Sequence, residues 1–428
     1  MLWTVYGSLV MLDRQTIGPA VWTGAAVGLA VSSKYSALPV ALAPAVAAWF
    51  IWRRPPAGRP ADPPAGFNAA INLLAAAAAA SFLTFALTSP FVLLDFDNFR
   101  QAVLVEQGNM VSGVADFPFT RQYRFTAPYL YFIEQQLRWG LGWPLGLPAL
   151  AGSVWALARA VRGRLSPGGW IILAWLVPYF GLTGLFLAKF NRYMSPVIPF
   201  AVIFGAGLLA ALGRRYSRRL AAGLAGAALL GAAMWAAMFV NGVYAAEHSW
   251  VSASRWIYAN IPDGSCIAVE HWEESLPRDW AWLEPGMSPG AHAYAQPQLP
   301  MYNPDTEQKF QTIRDTLKHC DYLVLASNRM WRTLPRLSPR YPMSTGYYRA
   351  LFGGELGYTV AAEFATPPRL GPWVIDDQPA DESFTVYDHP RAIIFKKTRD
   401  LSDEEWFRAL GNTWQGAVHN YVGRPTLL

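Results

Sequence analysis

The chain contains 428 residues, of which 53% are hydrophobic and 15% are charged, and its formal net charge is +6. Apolar runs of membrane-spanning length fill the chain up to about residue 240, whereas the remainder mixes charge, proline and tryptophan as a soluble domain does. This composition excludes a wholly soluble protein. The arginines gather between apolar runs without a nucleic-acid-binding motif, so no nucleic acid is expected as a partner.

Apolar runs of about 17 to 25 residues predict the membrane spans. They are Thr16–Ser33, Ser36–Trp52, Asn68–Ser89, Trp143–Leu157, Gly168–Ala188, Tyr193–Leu212 and Leu220–Val240. The opening stretch MLWTVYGSLVML is too short to cross and lacks the basic start and cleavage site of a signal peptide. We expect it to be the end of a span whose beginning is missing from a truncated chain.

Arginines in three short loops predict the orientation, because positive charge marks cytoplasmic loops. These arginines are Arg53, Arg54 and Arg59, then Arg159, Arg162 and Arg164, then Arg214, Arg215, Arg218 and Arg219. Counting spans puts all three loops on one side. The loop Pro90–Gly142, the link Phe190–Arg192 and everything after Asn241 are then extracytoplasmic.

The chain therefore divides into a helical membrane domain, residues 1–241 with an outer loop at 90–142, and an exported domain, residues 242–428. In the outer loop, DNFRQAVLVEQGNM and APYLYFIEQQLRWG have the periodicity of helices lying in the membrane interface.

The exported domain alternates helix and strand patterns, which predicts an α/β layer. SASRWIYANIP and TEQKFQTIRDTLKH are predicted as helices. SCIAVE, CDYLVLAS, YTVAAEFA, SFTVYDH and RAIIFKK are predicted as strands. The proline-rich stretch Trp272–Asn303 is predicted as a loop or lid.

The two cysteines, Cys266 and Cys320, each begin a strand-like run of the exported domain. An oxidising compartment would permit a bridge, but we favour two buried thiols, because cysteine is often simply buried in a strand. Neither cysteine has a His or Cys at ligand spacing, so no metal site is predicted.

Three stretches carry a family resemblance: GLAVSSKYSALPV at 28–40, the outer loop from SPFVLLDFDNF to WGLGWPLG, and RYMSPVIP at 192–199. The sequence resembles the polyprenyl-phosphate-dependent glycosyltransferases of the GT-C fold, in the broad family 39 group that includes protein O-mannosyltransferases. Bacterial members of that group share PFTRQY and DESFTVYDHPRAIIFKK. The resemblance implies a multi-pass protein of the bacterial plasma membrane that moves a sugar from a polyprenyl-phosphate donor to an extracytoplasmic protein, lipid or glycan.

Such a reaction needs cations at headgroup depth, because its leaving group is a phosphate. Lys34, Lys189 and Arg192 meet that need, and Tyr193 can add a hydroxyl donor. The alternative is that these cations reach lipid headgroups and only anchor span ends. We favour the alternative for Lys189 alone, and donor-phosphate binding for Arg192 with Tyr193, which match the family motif.

The general base of this family is a carboxylate in the first outer loop, near the start of a full-length chain, and we expect that loop to be missing from this sequence. The catalytic residue is therefore left unassigned, with Asp95, Asp97 and Asp116 as weak candidates. Helix capping is the ordinary explanation for Asp97, and a solvated loop acid for Asp95.

Arg121, Tyr123 and Arg124 lie amid aromatics in DFPFTRQYRFTAPY. They either line a sugar or diphosphate pocket or anchor the loop at the interface. No cofactor is predicted, and use of a divalent metal is left open.

Two other classes compete with the transferase. A transporter would show internal repeats and charges at mid-membrane, which this sequence lacks. A non-catalytic membrane scaffold, or a truncated fragment of the enzyme, would explain the missing first loop.

The orientation can be tested by cysteine accessibility. Cysteines introduced after residue 242 should react with a membrane-impermeant maleimide in intact cells, whereas cysteines in the three arginine loops should react only after lysis. Labelling of the tail only after lysis would reverse the topology.

Overall fold

The computed structural model describes residues 1–53, 63–271, 274–279 and 293–421. Two compact units are present. The first contains Met1–Ala115 and Pro128–Gly231, and the second contains Asp116–Ala127 and Ala232–Leu428. A segment of the predicted outer loop thus belongs to the same unit as the tail, and the predicted boundary at residue 241 lies within the second unit.

The first unit is helical. Its helices are α1 (Leu2–Arg14), α2 (Ile17–Ser33), α3 (Leu42–Arg53), α4 (Pro63–Thr88), α5 (Phe91–Leu94), α6 (Phe96–Phe99), α7 (Gln107–Ser112), α8 (Leu130–Gln135), α9 (Gly142–Val161), α10 (Pro167–Thr183), α11 (Ile198–Arg215) and the start of α12 (Arg218–Phe239). Tyr35–Ala41 and Asn191–Met194 form 3-10 turns, and Arg100–Glu106 and Gln136–Gly140 form π-helical turns. The two helical stretches predicted in the outer loop are confirmed as helical.

The described residues include five helices that are long and apolar enough to cross a membrane: Tyr35–Arg53, Gly66–Thr88, Gly142–Val161, Ile198–Arg215 and Arg218–Asn260. Two further apolar helices, Ile17–Ser33 and Pro167–Thr183, are shorter. The chain is therefore predominantly helical, with helices of the length and composition of membrane-spanning segments, as its composition predicts. Arg54 and Arg59 of the first arginine loop lie outside the described residues.

Small residues bring these helices together. A Cβ atom at Gly24 of α2 would lie 2.0 Å from the Ala77 carbonyl oxygen of α4, and one at Gly152 of α9 would lie 2.3 Å from the Phe204 carbonyl carbon of α11. Without side chains at these positions, the backbones approach closely, and van der Waals contact replaces the hydrophobic effect that lipid cannot supply.

The predicted ends of two spans were wrong. The helix predicted as Gly168–Ala188 ends at Thr183, and the one predicted to begin at Tyr193 begins at Ile198. Pro196 and Pro199 account for the late start, because a proline disfavours helical conformation in the residue before it but fits the first turn of a helix. The predicted three-residue link is therefore a longer irregular stretch from Gly184 to Val197.

The second unit contains a mixed five-stranded sheet with the order β2, β1, β3, β7, β4. Its strands are β1 (Ile267–Glu270), β2 (Gln298–Leu299), β3 (Tyr322–Leu325), β4 (Tyr358–Phe364) and β7 (Ala392–Lys397), and a separate hairpin pairs β5 (Arg369–Leu370) with β6 (Trp373–Val374). The strand β1 is parallel to β2 and β3, whereas β7 is antiparallel to β3 and β4.

Helices cover this sheet. They are α13 (Ser249–Asn260), α14 (Glu307–His319), α15 (Arg329–Thr333), α16 (Pro342–Phe352), α17 (Glu382–Thr385) and α18 (Asp403–Leu410). Both predicted helices and four of the predicted strands are confirmed. SFTVYDH, predicted as a strand, instead contains α17, where the Asp381 carboxylate accepts a hydrogen bond from the Ser383 amide as an N-cap. Much of the predicted loop Trp272–Asn303 lies outside the described residues, and its described end contains β2.

The preference for two free thiols was wrong, because Cys266 and Cys320 form a disulfide. Cys266 directly precedes β1, and Cys320 lies two residues before β3. The register pairs Ile267 with Tyr322, so the parallel strands β1 and β3 bring the two cysteine side chains together. The bridge closes a loop with a sequence separation of 54 residues.

Loss of this bridge should destabilise the tail, since it frees a long loop in the unfolded chain. For a loop of this length the effect is about 4 kcal/mol, which corresponds to a fall in unfolding midpoint of about 10 °C for a domain of this size. Thermal unfolding of wild type and of the Cys266→Ser/Cys320→Ser variant, each with and without reductant, measures the difference. Reductant should shift only the wild type, and equal midpoints throughout would contradict the role of the bridge.

Candidate functional site

The stretch KFNRY, residues 189–193, lies in the irregular backbone between α10 and α11. This backbone is attached to the α7 region, because the Val111 carbonyl accepts hydrogen bonds from the amides of Leu187 at 2.8 Å and Ala188 at 3.3 Å. Gly113 permits the approach: its φ is +79°, and a Cβ atom there would lie 2.3 Å from Leu187 Cδ2. The stretch is thus held by backbone contacts rather than by helical hydrogen bonds.

Two side-chain contacts fix the following residues. The Gln136 side-chain amide donates to the Asn191 side-chain oxygen, and the Tyr179 hydroxyl donates to the Tyr193 carbonyl at 2.8 Å. These partners come from the π-helical turn before α9 and from α10. They satisfy polar groups that the interruption between two apolar helices leaves without helical partners.

Lys34 lies beside Tyr193, the residue that follows Arg192 in the chain. Lys34 ends α2 in an extended conformation, and its Nζ lies 4.8 Å from the centre of the Tyr193 ring. The Arg192 guanidinium carbon lies 4.3 Å from the centre of the Phe190 ring, and the charges of Lys34 and Arg192 repel each other. The Tyr193 hydroxyl hydrogen-bonds to the Gln107 side chain. Within the described part of the chain, neither cation is paired with a carboxylate.

Lys189 differs from these two cations. Its side chain is fully buried, and its ammonium group donates to the Leu187 carbonyl at 3.4 Å. Arg192, by contrast, is exposed and Lys34 is partly so. The structure therefore brings together Lys34, Arg192 and Tyr193, while the Lys189 ammonium group lies out of reach of a ligand.

An apolar groove of about 400 Å³ begins beside this cluster. Met194, the residue after Tyr193, lines it, together with Val197 of the same stretch, Phe132 of α8, Leu150 of α9 and Leu176 of α10. Its walls are almost entirely hydrocarbon. A cationic cluster next to such a groove matches an amphiphile with an anionic head and a hydrocarbon tail.

The three acids proposed as weak catalytic candidates do not belong to one unit: Asp95 and Asp97 lie in the first unit, and Asp116 lies in the second. Asp95 is exposed and accepts a hydrogen bond from Asn98 Nδ2 at 2.9 Å. It occupies the N-cap position of α6, whereas Asp97 lies in the first turn, and no side-chain capping bond is made. The prediction that Asp97 caps a helix was therefore wrong, because α6 already begins at Phe96 and Asp97 lies inside it.

Arg121 belongs to a charge network inside the second unit. Its guanidinium group donates to Asp116, with Nη2 at 3.0 Å from Oδ2, and to the Tyr341 hydroxyl at 2.6 Å. Arg340 also donates to Asp116, at 2.7 Å, and Arg124 lies 3.8 Å from its other oxygen. Three guanidinium groups thus surround a single carboxylate.

This environment makes Asp116 a weak base. Partial burial opposes its ionisation, but the hydrogen bonds and charges of Arg121 and Arg340 outweigh burial and hold the pKa of the carboxyl below its usual range. A general base for a hydroxyl needs a higher pKa than this.

The two motifs of the family resemblance meet in the second unit. The Tyr123 hydroxyl donates to Asp381 Oδ1 at 3.4 Å, and the Glu382 amide donates to Gln122 Oε1 at 3.0 Å, so PFTRQY packs on DESFTVYDH. Tyr123 is fully buried. Tyr123 and Arg121 therefore hold the segment Asp116–Ala127 on the tail.

Several partners in both clusters were not identified from the sequence: Gln107, Gln136 and Tyr179 in the first unit, and Arg340 and Tyr341 in the second. No periodicity or spacing marks them, because their contacts depend on the tertiary fold: Tyr179 lies 14 residues from Tyr193, and Arg340 lies 224 residues from Asp116. In the described ranges, no three His, Cys, Asp or Glu side chains are placed to hold a metal ion.

Comparison with known proteins adds no relative: no family model, no curated protein and no solved structure matches the chain. The site is therefore interpreted from its own residues.

The charge network predicts a pH-dependent stability of the second unit. Because the folded pKa of Asp116 is lowered, its contribution is present above its unfolded pKa of about 3.9 and is lost as the pH falls below that value. Asp116→Asn should lower the free energy of unfolding by about 2 kcal/mol at neutral pH.

The difference from wild type should shrink below about pH 4. Denaturant unfolding across this pH range measures it. Asp315→Asn is the matched control, since Asp315 forms an exposed pair with Arg314 that should contribute little. A loss at neutral pH no larger than that of the control would contradict the network's role.

Proposed function

We propose that the chain binds a polyprenyl-phosphate sugar donor at Lys34, Arg192 and Tyr193, and belongs to a GT-C-type glycosyltransferase that transfers the sugar to an extracytoplasmic acceptor. The observation that carries the proposal is the approach of Lys34 to Tyr193, the neighbour of Arg192, with neither cation paired with a carboxylate among the described residues. The charges of Lys34 and Arg192 repel each other, and a bound anion would offset that repulsion.

A lipid phosphate fits this cluster better than a small anion such as chloride, because the neighbouring groove offers contact to a hydrocarbon tail. Arg192 supplies a planar fork that can bind two phosphate oxygens, Lys34 supplies a point charge, and Tyr193 supplies a hydroxyl donor. The groove that begins at Met194 would take the isoprenoid tail. The head and tail of one lipid phosphate are thus both provided for.

The chemistry assigned to these residues is binding and orientation of the leaving group. A cation pair that holds the phosphate also stabilises the charge that develops on it as the glycosidic bond breaks. The base that would activate the acceptor hydroxyl remains unassigned. Asp116 is disfavoured as a base by its lowered pKa. Among the described residues, no contact of Asp95 or Asp97 supports a role for either as the base.

Substitution of Arg192 tests the proposal. Arg192→Ala should weaken binding of a polyprenyl phosphate to the purified protein in nanodiscs roughly ten- to a hundredfold, the equivalent of one charge-assisted hydrogen bond. Arg192→Lys should restore only part of the affinity, because the fork geometry is lost.

Arg162→Ala is the matched control, since Arg162 is, like Arg192, an exposed arginine and follows the apolar helix α9 as its C-cap. Equal and slight losses in the Arg192→Ala and Arg162→Ala variants would show that Arg192 only anchors the chain in the membrane.

A further inference from the structure

A short hairpin lies in the chain between β4 and β7 of the second unit. Its strands Arg369–Leu370 and Trp373–Val374 pair antiparallel, with Leu370 opposite Trp373. Gly371 makes the turn with φ +56°, and the Ile375 amide closes the hairpin on the Pro368 carbonyl at 3.0 Å.

The tip of this hairpin is apolar and exposed. Trp373 is 61% exposed and Val374 is 58% exposed. No charged residue occurs between Leu370 and Ile375. A tryptophan and a valine at adjacent exposed positions are unusual for a surface that faces only water.

The hairpin is attached to the end of the last apolar helix. Asn241 Nδ2 donates to the Arg369 carbonyl at 3.1 Å. At Gly242, a Cβ atom would lie 2.3 Å from the Pro367 carbonyl oxygen and 2.4 Å from the Arg369 amide nitrogen. Only glycine therefore allows the helix end and the hairpin to approach this closely. Both residues belong to the π-helical turn Val240–Tyr244, which continues α12 without a break.

The helix end presents further apolar surface beside the hairpin. Val240 is 58% exposed and Tyr244 is 64% exposed, on the turn that carries Asn241 and Gly242. Tryptophan and tyrosine are enriched where a spanning helix leaves the hydrocarbon, because their rings are apolar and their tips are polar. The exposed surface of the hairpin is thus continuous with the part of the chain that emerges from a membrane.

We infer that the hairpin tip Leu370–Ile375 inserts into the lipid headgroup region around the end of α12, with Trp373 and Val374 in contact with lipid. Bilayer lipid is the expected occupant because the hairpin is fixed to a segment of the candidate span Arg218–Asn260. The flanking charges of Arg369 and Asp376 stay at the aqueous side of the tip. This contact, added to the helix end, would fix the tilt of the sheet relative to the bilayer. The inference requires that α12 spans the membrane and does not depend on the proposed enzymatic activity.

Site-directed spin labelling tests the inference. The unreduced protein has its two cysteines in a buried disulfide, so a nitroxide attaches only at an introduced cysteine. Trp373→Cys is labelled in nanodiscs, and collisions with oxygen, which enters lipid, are compared with collisions with a water-soluble nickel chelate. Val374→Cys provides a second position if the first variant folds poorly.

Two controls define the scale. Phe407→Cys labels an exposed residue of α18 and should collide mainly with the nickel chelate, whereas Leu230→Cys labels an exposed residue of α12 and should collide mainly with oxygen. The hairpin label should have several-fold lower access to the chelate than the Phe407 label.

Equal chelate access at positions 373 and 407, with a lipid-exposed label at 230, would overturn the hairpin contact while leaving the span intact. Protection of position 373 from both reagents would indicate a protein partner and would also overturn it. A water-exposed label at 230 would overturn the span and the hairpin contact together.

Discussion

Hydrocarbon offers no hydrogen-bond partner to a peptide group or a charge, and this constraint determines where the polar features of the first unit can lie. Its apolar segments are helical, so that their peptide groups bond within the segment. The irregular stretch from Gly184 to Val197 breaks this rule, and it is also the stretch whose peptide and side-chain groups are taken up by Val111, Gln136 and Tyr179. The irregular backbone that carries the cationic cluster is therefore held by protein groups, which supply the partners that hydrocarbon would not.

The positions of the apolar helices could be predicted from run length, because membrane thickness sets that length. Their ends could not be predicted by run length alone. Ser195 to Pro199 is apolar enough to continue a span, but Pro196 and Pro199 delay the helix to Ile198. The contact between Lys34 and Tyr193 could not be predicted from the sequence, since it depends on how α2 and the 3-10 turn Asn191–Met194 pack together. No sequence pattern predicts the burial of Lys189 either, because a lysine between two apolar runs can point into the protein or out of it.

The tail shows the same division between local and long-range information. Short apolar runs rich in β-branched and aromatic residues predict β1, β3, β4 and β7, whereas the disulfide depends on which strands are neighbours. Once β1 lies parallel to β3, the cysteines at their starts become adjacent, but a separation of 54 residues does not reveal that pairing. In SFTVYDH, β-branched and aromatic residues imitate a strand. The helix forms there because Asp381 caps it and because buried Glu382 pairs with Arg329 at 2.6 Å.

The two cationic clusters have different physical meanings. Arg121, Arg124 and Arg340 surround Asp116, so an anion from the chain itself already balances part of their charge, and the network joins an outer-loop segment to the tail. Lys34 and Arg192 repel each other beside aromatic rings, without a carboxylate of the described chain. A cluster that contains its own counterion stabilises the fold without a ligand, whereas a cluster that lacks one is stabilised by binding an anion. Charge balance therefore accounts for the first cluster as a structural network and supports the proposal that the second binds an anion, although the sequence places arginine beside tyrosine in both.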